Sequence, residues 1–112
     1  MAYEKICTLD DVWEGEMGAF TAADGTRVLV IFPTDGTLVA VQAVCPHQEI
    51  ELIRGKLENN VLTCSAHLWQ FDAQTGKGIN PAVCELAVYP TKIDGDDVYV
   101  DVAGITPRMA RA

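Results

Sequence analysis

Histidine is scarce in this sequence. Two occur in 112 residues, beside four cysteines and eight basic residues against sixteen acidic ones, for a formal net charge of −8. The shortage of cations argues against nucleic acid as a partner, because a negative surface repels phosphates. No run approaches the roughly 18 apolar residues that a spanning helix needs, so no membrane association is expected. The N-terminal stretch MAYEKICTLDD lacks a basic region followed by an apolar run, so it does not read as a signal peptide. The expected compartment is the cytoplasm, where thiols stay reduced. Four cysteines in that setting point to metal or redox chemistry more than to a disulfide framework. A phosphate-cradling GxGxxG is also missing. What is present, 49% hydrophobic and 21% charged residues, is ordinary for a folded protein, and the length suits one domain over residues 1–112. The acidic excess serves either attraction to a basic face on another protein or simple solubility.

Turn signals recur at Asp24-Gly25, Asp35-Gly36, Asn59-Asn60, Thr75-Gly76 and Asp94-Gly95. Between them lie short runs rich in β-branched residues: RVLVIF from Arg27, LVAVQAV from Leu38, VLTC from Val61, LAVY from Leu86 and VYVDV from Val98. Short strands with frequent turns predict an all-β sandwich or small barrel. The Asp-Gly turns predict that Arg27–Phe32 pairs with Leu38–Val44. One helical turn is expected around Thr8–Trp13, capped by Thr8 or Asp10. Trp13 is expected in the core, and Thr106–Ala112 as a loose tail.

The chemistry lies in two short segments. Cys45-Pro46-His47 is followed, after sixteen residues, by Cys64-Ser65-Ala66-His67, and these are the chain's two histidines. Each pair follows an apolar, strand-like run, at a strand end where loops project. Two such loops can converge on one site, and thiolate with imidazole suits zinc or an iron–sulfur centre. A zinc finger more often places two cysteines together and then two histidines together. Here each loop supplies one of each, as in a Rieske centre, where two thiolates hold one iron and two imidazoles the other.

CPH and CSAH resemble the Rieske signature, Cys-x-His followed by Cys-x-x-His. The likeness extends to the Phe71-Asp72…Thr75-Gly76-Lys77 segment, the proline-bearing loop at Asn80-Pro81 and the closing LAVYPTKIDGDDVYV. More narrowly, CPHQEI and CSAHLW resemble the Rieske ferredoxin of toluene and related aromatic monooxygenases. The resemblance implies an antiparallel β-sandwich of the Rieske iron–sulfur fold. A cluster-binding subdomain of two loops would occupy about residues 44–82. It implies one [2Fe–2S] cluster per chain, with Cys45, His47, Cys64 and His67 as ligands. It implies that Cys45 and Cys64 hold the buried iron, and His47 and His67 the outer one. Two ferric ions, two sulfides and two thiolates sum to zero charge, so the reduced centre carries one negative charge. Four thiolates would make reduction harder, and imidazole ligands accordingly raise the potential. High-potential respiratory members carry a further cysteine in each loop, where this chain has Ile50 and Ala66. They also carry a serine and a tyrosine whose hydroxyls donate to sulfur, where this chain has Trp69 and Phe71. Fewer donors stabilise the reduced state less, so a potential near the lower end of the Rieske range is expected, about −150 mV.

Around the ligands, Gln48 is a candidate hydrogen-bond donor, Trp69 a candidate docking or electron-path residue, and Pro81 a candidate cover. The plainer reading of the last two is packing and an ordinary turn. Cys7 and Cys84 read as packing cysteines. Glu14, Glu16, Glu49 and Glu51 form a possible acidic docking rim or a merely solvated face. With both histidines committed, no Ser/His/Asp set remains, so the chain is expected to pass electrons and do no chemistry on a substrate. The resemblance implies an electron carrier, and a monomer is the default expectation. By the same resemblance it is expected to dock transiently with an NADH-dependent reductase and with the di-iron hydroxylase of an aromatic hydrocarbon-degrading monooxygenase. The alternatives are the ferredoxin of a ring-hydroxylating dioxygenase, the small subunit of a nitrite reductase, and a zinc-stabilised interaction module.

Overall fold

The computed structural model describes residues 3–33, 38–45, 51–65, 69–80, 85–103 and 105. Among them run eleven strands: β1 (Glu4–Thr8), β2 (Met17–Thr21), β3 (Arg27–Ile31), β4 (Val39–Gln42), β5 (Lys56–Glu58), β6 (Val61–Thr63), β7 (Gln70–Asp72), β8 (Gly78–Asn80), β9 (Val88–Tyr89), β10 (Thr91–Asp94) and β11 (Asp97–Val100). They form three antiparallel sheets, ordered β1-β11-β10, β2-β3-β4-β9 and β5-β6-β7-β8. The pairing of the RVLVI and LVAVQ segments is as expected, from Val28 opposite Gln42 to Ile31 opposite Val39.

The apolar run in β3 has a physical cause. A strand with one buried face alternates apolar and polar residues, whereas one covered on both faces reads as continuous. Val28, Val30, Ala40 and Tyr89 pack into one apolar cluster with Cys7, Val98 and Val100 of the β1-β11 sheet. Leu29, Ile31 and Val41 face the other way, into a second cluster with Leu62 and Phe71 of the β5–β8 sheet. The β2-β3-β4-β9 sheet is therefore the middle layer, with a core on each side.

The turns follow their residues. Asn59 and Asn60 both take positive φ (50° and 61°), joining β5 to β6, and Gly25, Gly76 and Gly95 also take positive φ. Asp35-Gly36 and the expected tail lie outside the described residues. The expected helix over Thr8–Trp13 is corrected to a plain turn. Asp11 N–H donates to the Thr8 carbonyl at 3.0 Å, and the Asp11 carboxylate accepts from the Thr8 backbone N–H at 2.8 Å and from its hydroxyl at 3.2 Å, which closes the chain in one local turn. The helix among the described residues is a single 3-10 turn at Leu52–Arg54. Trp13 is also corrected: it is 65% exposed. Its ring N–H donates to the Asp10 carbonyl at 3.0 Å, and its neighbour Val12 fills the core instead.

Candidate metal centre

Cys45 leaves the end of β4 through an anchored neck. Leu52 N–H donates to the Ala43 carbonyl at 2.8 Å, and Val44 bridges antiparallel to Glu51, so the residues on either side of the segment 45–50 are held together. Glu51, a candidate for a docking rim or a solvated face, accepts an ion-paired hydrogen bond from Arg27 on β3 and so braces that neck. Cys64 directly follows β6. Its N–H donates to the Trp69 carbonyl at 2.7 Å, which closes a second loop on the β6–β7 hairpin, with Thr63 opposite Gln70.

Both cysteine side chains are fully buried, and both belong to the same apolar cluster, with Leu52, Leu62, Phe71 and Leu86 around them. Two sulfur donors in one apolar cluster fit a thiolate-bound soft metal or an iron–sulfur group. His47, Gln48, Glu49, His67, Pro81 and Cys84 lie outside the described residues, so the structure brings together the two cysteines of the expected ligand set. Trp69 is half-buried against the same cluster. Cys7 stands apart in the other cluster, as packing requires. Burial, followed by the charge of Asp11, pushes its thiol up to about 11.

A recess of about 210 Å³ opens beside Cys64, lined by Arg54, Gly55, Lys56, Thr63 and Ser65. Sequence reasoning missed these residues and one more. Gln42 is fully buried, and its side-chain amide spans from the Val44 carbonyl to the Ala87 N–H, both at 2.8 Å. A signal for it existed: a lone amide inside LVAVQAV must be hydrogen-bonded if that run is buried. Gly55, a single glycine between two cations, likewise signals close approach of another backbone.

The model for the Rieske [2Fe–2S] domain matches residues 2–90. The chain belongs to the Rieske family. Among its relatives are the ferredoxin component of an alkene monooxygenase system from Xanthobacter autotrophicus and the ferredoxin subunit of a biphenyl dioxygenase from a Pseudomonas species. The first is 39% identical over 99 residues, 88% of this chain and 80% of the relative. The second is 40% identical over 103 residues, 90% of this chain and 93% of the relative. The solved ferredoxin of carbazole 1,9a-dioxygenase from Nocardioides aromaticivorans shares the fold at a TM-score of 0.77 and 28% identity, covering 89% and 97% of the two chains. This Rieske protein thus carries one [2Fe–2S] cluster and is an electron carrier, not an enzyme. Among the described residues no helix is long and apolar enough to cross a membrane.

Proposed function

We propose that this chain is the ferredoxin of a multicomponent monooxygenase in aromatic hydrocarbon catabolism, moving single electrons from an NADH-dependent reductase to a di-iron hydroxylase. Residues 1–112 act as one domain, and Cys45, His47, Cys64 and His67 hold the cluster. The observation that carries this reading is the burial of two cysteines, each beside a backbone-pinned strand end, in one apolar cluster. Each is also closely followed by a histidine in the sequence. The bound group supplies a one-electron couple. The chain's own residues shield it from water (Leu52, Leu62, Phe71) and hold the two loops at their necks (Gln42, Glu51, Trp69).

A di-iron acceptor takes two electrons per turnover, so a one-electron carrier must dock twice and leave quickly. Small, transient contact suits that duty better than a large apolar interface. The acidic excess speeds encounter with a basic partner face, and the cytoplasm is the fitting compartment. A second reading, the ferredoxin of a ring-hydroxylating dioxygenase, is favoured by the 40% identity to a biphenyl dioxygenase ferredoxin. Stopped-flow mixing of the reduced protein with a di-iron hydroxylase and with a ring-hydroxylating dioxygenase separates the two. Fast reoxidation by the hydroxylase supports the first reading, and reoxidation by the dioxygenase alone refutes it.

A further inference from the structure

Gln42 sits at the end of β4 with its side chain wholly buried. A buried amide is tolerated when its donor and acceptor ends are both satisfied. Here the Nε2 group donates to the Val44 carbonyl at 2.8 Å, one residue before Cys45. The Oε1 atom accepts from the Ala87 N–H at 2.8 Å, 45 residues further along the chain. The Gln42 backbone N–H also donates to the Ala87 carbonyl at 3.0 Å. Ala87 lies just past the segment that carries Pro81. The residues that follow it are held by the Lys77–Glu85 bridge and by Leu86 N–H donating to the Gly76 carbonyl at 2.7 Å.

One side chain therefore ties the neck of the first ligand loop to the exit of the proline-bearing loop. The job restricts the residue type. Donating at one end while accepting at the other needs a carboxamide, and the span needs two methylenes. Leu fills the volume but serves neither partner, and Glu keeps the acceptor while placing an oxygen against the Val44 carbonyl. Removing one partner of a buried hydrogen bond leaves the other unsatisfied, which costs more than the bond's net worth. The strain falls on Val44, and so on Cys45 beside it.

We propose that Gln42 is a positioning residue: its amide fixes the neck of Cys45 against the exit of the proline-bearing loop, and thereby sets how firmly the cluster is held. This rests on the Rieske reading given above, with Cys45 as a ligand.

The test uses the cluster-loaded protein and three variants. Gln42→Glu and Gln42→Leu alter the strut, whereas Val98→Ala opens a cavity in the opposite apolar cluster and serves as a control for general destabilisation. Cluster loss to an iron chelator, the reduced-state EPR spectrum and the thermal midpoint are measured on each. Gln42→Glu should release the cluster at least about tenfold faster than wild type, with an altered EPR spectrum, and Gln42→Leu faster still. Val98→Ala should keep the wild-type spectrum at a comparable loss of thermal midpoint. The proposal is overturned if Gln42→Glu keeps the wild-type spectrum and release rate, or changes no more than Val98→Ala does. Should either Gln42 variant fail to fold, the other carries the comparison. A wild-type protein without any [2Fe–2S] signal would instead overturn the reading on which the proposal rests.

Discussion

Replacing Gly55 with alanine should damage both the fold and the cluster, and the geometry sets the size of the effect. A Cβ built on Gly55 lies 2.0 Å from the Thr63 carbonyl oxygen, 3.1 Å from the Thr63 carbonyl carbon and 3.2 Å from the Leu52 carbonyl oxygen. Real Cβ atoms essentially never come nearer than 3.0 Å, so the two backbones must part by about 1 Å. Neither is free to do so. Gly55 N–H closes the 3-10 turn on the Leu52 carbonyl at 2.9 Å, while Thr63 pairs with Lys56 on one side and Gln70 on the other. Overpacking costs typically about 1–3 kcal/mol, and one or two weakened hydrogen bonds add about 0.5–1.5 kcal/mol each. A loss of about 2–5 kcal/mol corresponds to a drop of roughly 10–20 °C in Tm for a chain of this size. Because Thr63 adjoins Cys64, the displacement reaches a proposed ligand, so iron content should fall as well. Gly25→Ala is the control. Gly25 takes φ +93° with nothing within 4 Å of the added atom, so its cost is the dihedral penalty alone, about 1–2 kcal/mol. Far-UV circular dichroism melts with visible absorbance of the cluster decide the matter. A Gly55→Ala protein with wild-type Tm and full cluster content would refute the steric argument, as would a Gly25→Ala protein equally damaged.

Three further outcomes follow from the structure and sequence. The Tyr89 hydroxyl is buried with no hydrogen-bond partner among the described residues, so Tyr89→Phe should leave Tm unchanged or raise it by a few degrees, worth up to about 1 kcal/mol; a clear drop would show a hidden partner. The Cys7 thiol is pushed from 9.0 to about 11 by burial and then by Asp11, so the folded state holds its proton more tightly than the unfolded chain. Its contribution is complete below about pH 9 and lost as pH rises to about 11; denaturant titrations across that window should show a shallower decline for Cys7→Ala than for wild type, and parallel curves would contradict the shift. Voltammetry should place the potential near the lower end of the Rieske range, about −150 mV, and a value well above zero would mean that other donors replace the missing serine and tyrosine hydroxyls.

The legible parts of the fold were those with strong local physics. The β-branched runs became β3 and β4, and the dipeptides at Asp24-Gly25, Asn59-Asn60, Thr75-Gly76 and Asp94-Gly95 made their turns. The β5, β7 and β8 strands, KLE, QFD and GIN, were not legible, because unlike the equally short VLT of β6 none of them holds a run of apolar or β-branched residues. Their pairing is decided by neighbours distant in sequence. Trp13 misled for a related reason. Tryptophan brings a large apolar surface, but here the smaller Val12 holds the core position and Trp13 spends its ring N–H on Asp10. At the site, the two cysteines stood out by composition and spacing. Gln42, Gly55 and the Arg27–Glu51 brace did not, because each acts through a partner that only the folded chain brings near.

The central claim is that one thiolate and one imidazole from each of two loops share a diferric centre. Iron and acid-labile sulfide analysis, with pulsed EPR of the reduced protein labelled with ¹⁵N-histidine, tests it most directly. Two irons and two sulfides per chain, with hyperfine coupling to two imidazole nitrogens, are the predicted result. A centre without labile sulfide, or one whose spectrum shows no histidine nitrogen, would contradict it.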